Sequence, residues 1–205
     1  MPRPRSPLLS VDAIVSAALS LVDSTGDFSF PRMARELGVS QAALYNYIDN
    51  REHIIELMRG RIFSDRTHLD TDDLPWEDAL RALAREYRAR LVGHPRLVPL
   101  LVTQTIQDLA VMGFYEDMAT VLGNAGLIAS AIVPAITTVD YLALGSALDL
   151  TAPDHAWSAP DDRFPALSLA AAHLKTREER AEAAFEFGLE VLVCGVQRAV
   201  ARADF

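Results

Sequence analysis

The chain has 205 residues and a mass of 22.5 kDa; half its residues are hydrophobic, 23% are charged, its formal net charge is −9, and it has one cysteine, Cys194. That much apolar material supports a real core, in one large domain or a small one joined to a larger one, and argues against disorder. A lone cysteine excludes an internal disulfide and zinc sites built on cysteine pairs and fits a reducing compartment, while MPRPRSPLL lacks the apolar run of a signal peptide, so the cytoplasm is the expected location.

Helical periodicity runs through nearly the whole chain. Ser10 is a good N-cap, and Val11, Ile14, Val15, Ala18, Leu21 and Val22 follow at spacings of three and four up to Ser24-Thr25-Gly26. Pro31 suits a first helical turn, Met33, Ala34 and Leu37 share a side, and Gly38 is placed for a left-handed C-cap. Ser40 then caps a third short helix, Gln41 to about Tyr47, and Asn50 caps a fourth, Arg51 to about Thr67, with Ile54, Leu57, Met58 and Ile62 on its apolar face. After a loop at Asp70–Pro75, helices are expected from Trp76 to about Val92, around Pro95–Leu101, from Thr103 to about Gly123, from about Leu127 to Leu150 through Pro134, and from about Arg177 to Ala201. Ala152 to Pro165 reads as loop. With no strand alternation and no internal repeat, the class is all-α.

Met118–Val139 holds 22 residues without a charge, long enough to cross a bilayer, but Gly123, Asn124, Gly126, Pro134 and the lack of a basic flank favour a helix buried in a bundle. Charge divides the chain at about residue 66. Residues 1–66 carry 8 Arg and 8 acids, whereas the remainder carries 11 basic residues against 20 acids, so the whole excess sits there. A neutral unit of about 66 residues on an acidic body, 67–205, is what a small module facing phosphate would show.

Phe28–Met58, FSFPRMARELGVSQAALYNYIDNREHIIELM, is the most informative stretch. Two short helices are joined by Leu37-Gly38-Val39-Ser40, the helix-turn-helix arrangement that lays its second helix in a DNA major groove. Val39 and Leu44 would plug the corner. A seven-residue helix cannot bury all of its other side chains, and the remainder has base-reading and phosphate-reading chemistry. Gln41 and Asn46 can pair with adenine, Ala42 and Ala43 offer methyl groups to thymine, and the Tyr45 and Tyr47 hydroxyls suit phosphate oxygens. Arg3 and Arg5 read either as a minor-groove arm or as a solvated tail.

Here the sequence resembles the tetracycline-repressor (TetR) family of transcriptional regulators, in M-A-x-E-L-G-V-S-x-x-A-L-Y-x-Y-I-x-N-R-E; Trp76, Gly93-His94-Pro95, Tyr141–Asp149 and Phe185–Gln197 resemble its C-terminal body. The resemblance implies a homodimeric regulator, most members being repressors, that leaves a palindromic double-stranded operator when a small-molecule effector binds. It implies base contacts by Gln41, Ala42, Ala43, Asn46 and Tyr47 and phosphate contacts by Ser29, Ser40, Tyr45, Tyr47 and Arg51. Pro31 stands where a base-reading arginine is found in the tetracycline repressor, so the operator sequence should differ.

For an effector cavity the candidates are Tyr87, Leu101, Gln104, Phe114, Tyr141 and Asp149, although aromatics at helical spacing read first as core. Leu101 and Tyr141 stand where drug- and metal-contacting histidines would align, so no metal is expected. An apolar or amphipathic effector fits the apolar middle of the chain. His53, His68, His94, His155 and His173 show no i,i+4 pair, and they read as surface or corner residues. The last helix presents Phe185, Leu189, Leu192 and Val196 at spacings of four and three, with Gly188 and Gly195 seven apart, and that stripe is the expected dimer interface. Cys194 reads as buried and inert. No enzyme motif is found: no phosphate-cradling Gly loop, no G-x-S-x-G and no H-E-x-x-H. A helical ligand carrier or enzyme that has lost DNA binding is the alternative.

Overall fold

The computed structural model describes residues 9–64, 71, 73–157, 163–173 and 176–203, and all regular structure among them is helical. Arg3, Arg5, His68, the end of the linker helix near Thr67 and the boundary at residue 66 lie outside the described residues.

Four helices build the N-terminal unit: α1 (Val11–Thr25), α2 (Phe30–Leu37), α3 (Gln41–Leu44) and α4 (Arg51–Ser64). Side-chain caps define their starts. The Ser10 hydroxyl accepts from Ala13 N at 3.1 Å, the Ser40 hydroxyl from Ala43 N at 3.2 Å, and Asn50 Oδ1 from His53 N at 2.7 Å. Ile14, Ala18, Met33, Leu44, Ile54 and Met58 are wholly buried and form the core of this unit. Between α2 and α3 the chain reverses at Gly38, whose φ of +67° is the left-handed region that a Cβ disfavours. The helix α3 is shorter than its sequence pattern. After Leu44 the chain continues as a turn, with Tyr47 N and Ile48 N both donating to the Leu44 carbonyl, so Tyr45–Tyr47 extend the reading element without completing another helical turn.

The body holds α5 (Trp76–Val92), a 3-10 turn at Pro95–Leu97, α6 (Val98–Leu101), α7 (Leu109–Asn124), α8 (Ala129–Asp149), α9 (Pro165–Ala171) and α10 (Arg177–Ala203). The expected start of α7 at Thr103 is corrected to Leu109. Asp108 caps it by accepting from Ala110 N and Val111 N, which leaves Thr103–Gln107 as a loop between α6 and α7. The short helix α9 follows the Ala152–Pro165 loop and was without a sequence assignment.

By length and composition α8 could cross a membrane. It lies instead in the bundle, against α5, α7 and α10, with Val139, Ala143 and Ala147 buried. Along α5 and α10 runs a ladder of ion pairs, Arg81–Glu190, Arg85–Glu186 and Arg88–Glu182, at 2.7, 2.6 and 2.5 Å. Arg180 fastens the start of α10 to the end of α8, gripping Asp149 with two nitrogens at 2.8 and 3.0 Å and donating to the carbonyls of Pro153 and Asp154.

Half of the expected dimer stripe is internal. Phe185, Leu189 and Val196 are buried within the protomer, because α10 carries two apolar stripes. Phe187 and Val191 follow Phe185 and Leu189 by two residues and Cys194 precedes Val196 by two, roughly 200° round the helix, and all three point outward. Cys194 is therefore exposed, contrary to its apolar neighbourhood in sequence. Gly188 allows α8 and α10 to approach inside the protomer, where a Cβ would collide with Leu142. Gly188, Leu192 and Gly195 line an open apolar groove between these helices.

Candidate nucleic-acid interface and effector cavity

The reading surface starts from the Gly38 reversal, which presents α3 and its following turn with Leu44 and Ile48 turned inward and fully buried. Their neighbours face solvent. Tyr45 is 55% and Tyr47 41% exposed, and Gln41, Ala42, Asn46 and Ser40 are exposed with them, while Ala43 is half-buried. Large aromatics left outside a unit with a complete core are surface chemistry and not packing. Tyr45 is also oriented: its ring stacks on Phe30 of α2, centroids 4.8 Å apart and planes within 9°. Ser29, the N-cap of α2, makes no side-chain capping bond.

Arg51 has internal partners. Its guanidinium donates to Asp27 Oδ1 at 2.5 Å and to the Phe28 carbonyl at 2.8 Å and lies 4.2 Å from the Phe28 ring centroid. The Arg51 hydrogen bond holds the Asp27 carboxyl below its ordinary range. These contacts tie the start of α4 to the α1–α2 corner.

The cavity of about 410 Å³ lies in the body beside α4. Four expected residues meet there, Tyr87, Leu101, Gln104 and Tyr141, joined by Arg59, Phe63, Tyr115 and Asp140. Phe114 does not line it. That side chain is fully buried behind the wall, in edge contact with Phe63 and Tyr87. Asp149 does not line it either, being held by Arg180 at the far end of α8.

A short polar chain crosses the cavity wall. Tyr115 donates its one hydroxyl proton to Asp140, at 3.1 and 3.2 Å from the two oxygens, so the 3.1 Å contact between the Tyr87 and Tyr115 hydroxyls must use the Tyr87 proton. Burial pushes the Asp140 carboxyl above its ordinary range, raises Tyr115 to about 12 and lifts Tyr87 further.

Arg59 and Glu56, which sequence reasoning passed over, link cavity and reading unit. Arg59 is 4% exposed; its Nε donates to Glu56 at 2.9 Å and its Nη2 to the Leu101 carbonyl at 3.0 Å. The other Glu56 oxygen accepts from the backbone N–H groups of Gln107 and Asp108, at 2.7 and 2.6 Å. One turn of α4 thus clasps both ends of the loop that carries Gln104. An arginine three residues after a glutamate on a helix was the available signal, but it also describes an ordinary surface pair.

The chain matches the family model described as "Tetracyclin repressor-like, C-terminal domain" over residues 70–200. It is 31% identical over 144 residues to the HTH-type transcriptional repressor DrrR1 of Streptomyces coeruleorubidus, covering 69% of this chain and 53% of that protein, so it spans about half that relative's length. It is 27% identical over 198 residues to the class A tetracycline repressor from transposon 1721 of Escherichia coli, covering 93% and 91% of the two chains. The crystal structure of apo ActR from Streptomyces coelicolor superposes with a TM-score of 0.78 at 21% identity, over 95% of this chain and 98% of that one. The matched body, together with a capped two-helix reading unit ahead of it, places this chain in the tetracycline-repressor family.

Proposed function

We propose that the protein is a homodimeric transcriptional repressor that binds a palindromic operator and is released from it by a small molecule held in the cavity beside α4. The observation that carries this reading is the reading element itself: two capped helices about a left-handed glycine, with Tyr45, Asn46 and Tyr47 exposed together over a completed core. The repressor names of the relatives support the same reading. In this reading Gln41, Ala42, Ala43, Asn46 and Tyr47 approach bases, and Ser29, Ser40, Tyr45 and Tyr47 hold phosphates. Arg51, whose internal contacts fix the α1–α2 corner, holds a phosphate as well.

A second copy is the partner for the α8–α10 face, where Val133, Tyr141, Phe187 and Val191 are exposed on adjoining helices beside the apolar groove. A two-fold pair would set its reading heads one helical turn apart, about 34–36 Å, or a multiple of that. Release works through the clasp. A ligand that reshapes the Thr103–Gln107 loop pulls on Glu56 and Arg59, and α4, packed on both α1 and α7, carries the displacement to the reading unit. A coupling of about 1–3 kcal/mol gives a 5–150-fold loss of DNA affinity.

The test is an anisotropy titration of the purified chain with the intergenic DNA beside its own gene, at fixed salt with competitor DNA. Saturable nanomolar binding is expected. Binding no tighter than to competitor DNA, with random-sequence selection also failing, would overturn the repressor in favour of a ligand carrier on the same scaffold.

A further inference from the structure

Of the residues lining the cavity beside α4, two are charged, Arg59 and Asp140, and they differ in kind. Arg59 is neutralised at 2.9 Å by Glu56, and its guanidinium also serves the Leu101 carbonyl. Asp140 has no ion-pair partner of its own. Among the described residues no arginine, lysine or histidine forms an ion pair with it; the Tyr87 and Tyr115 hydroxyls and the more distant Arg59 charge favour its ionised form, and its two oxygens can accept about four hydrogen bonds. The cavity therefore holds one carboxylate with no ion-pair partner among the described residues. Phe63, Tyr87, Tyr115 and Tyr141 surround it with aromatic rings, whose faces attract cations and stack on flat ligands.

We infer that the effector is an aromatic molecule bearing a protonated amine, its rings between the cavity's aromatic side chains and its ammonium group against Asp140. This rests on the reading of the cavity as the effector site and adds the chemistry of what enters it. An anionic ligand would meet Asp140 with no free cation to offset it, and a neutral one would leave the carboxylate's charge unmatched; an ammonium group supplies donors and charge together. Burial outweighs the Tyr87 and Tyr115 hydroxyls and the Arg59 charge and shifts the Asp140 carboxyl upward, so a cation paired directly with it would favour its ionised form. The excess of acids in the body adds a long-range field that concentrates cations and repels anions. A volume of about 410 Å³ suits a small ring system with a short amine-bearing arm.

Three probes of one shape separate the possibilities: 1-naphthylmethylamine, 1-naphthalenemethanol and 1-naphthoate, titrated by calorimetry into the full chain at neutral pH without DNA. The amine should bind at least about tenfold tighter than the alcohol, and the alcohol tighter than the acid. Asp140→Asn should bring the amine and alcohol to within about twofold of each other while leaving alcohol binding nearly unchanged. Tyr115→Phe removes the carboxylate's hydroxyl partner and should widen the preference for the amine, an opposite result that a merely structural role for this region would not produce. Equal affinity for amine and alcohol, a preference that survives Asp140→Asn or collapses in Tyr115→Phe, or no binding of any probe at millimolar concentration would overturn the inference. Because the titration holds no DNA, failure of the repressor reading leaves its outcome untouched, and failure here leaves operator binding untouched.

Discussion

The reading unit and the cavity place their chemistry in opposite ways. The reading unit takes its candidate residues from one short stretch, Ser29 to Arg51, and holds most of them outside a finished core. The cavity takes its residues from α4, α5, α6, α7, α8 and the loop after α6, and sets its charged groups at or behind the wall. In the first, function and stability belong to different side chains. In the second they belong to the same ones, so substitutions in the two regions should report on different quantities.

The largest expected stability effect is at the clasp. Glu56→Ala strips the buried Arg59 of its counter-charge and releases two backbone N–H groups of the loop, and it should cost about 3 kcal/mol in denaturant unfolding. A cost under 1 kcal/mol would show that Arg59 is solvated and that cavity and head are less tightly joined. In the reading unit the same scale of energy should appear in binding alone. Tyr47→Ala and Asn46→Ala should each weaken operator binding by about ten- to hundredfold while moving the melting temperature by no more than about 2 °C. A fall in melting temperature with intact binding would reverse the assignment.

Within α10 the comparison sharpens to a pair of positions. Gly188→Leu drives a side chain into Leu142 and should destabilise the protomer by about 1–3 kcal/mol. Val191→Glu, on the exposed stripe, should leave the protomer folded but yield monomers by light scattering. A dimeric Val191→Glu protein would move the interface off this face.

The smallest effect is at Asp140, and its sign depends on pH. Burial raises its carboxyl in the folded state, so the ionised form costs stability, and the cost disappears as pH falls and the group is protonated. Asp140→Asn should therefore stabilise the chain modestly at neutral pH, with the gain shrinking towards zero below the ordinary carboxylate range. A gain independent of pH would mean that Asp140 is already neutral at neutral pH.

Most of the helices were legible because their signals are local: Ser10, Ser40 and Asn50 cap where their spacing places them, and Gly38 turns where a Cβ is disfavoured. The reading element was legible for the same reason. The apolar stripe on α10 was visible as a stripe, yet periodicity identifies a face without saying what covers it, and Phe185, Leu189 and Val196 pack inward while Gly188, Leu192 and Gly195 line an open groove. Asp149 and Phe114 failed as cavity residues because Arg180 and the Phe63–Tyr87 cluster claim them from elsewhere in the chain. Asp140 was hidden among apolar neighbours, its role set by two tyrosines that lie 25 and 53 positions away in sequence but adjoin it through hydroxyl contacts.

The corner at Gly93-His94-Pro95 has a consequence for exchanging heads between relatives. Arg96 donates to the carbonyls of Asp23 and Ser24, at the last turn of α1, and His94 Nδ1 lies 2.9 Å from the Asp23 carboxylate. The body thus completes the end of a helix that belongs to the reading unit. A chimera cut at the acidic boundary near residue 66 would strand those carbonyls against a foreign surface, so a transplanted head keeps its seat only if residues 93–97 travel with it.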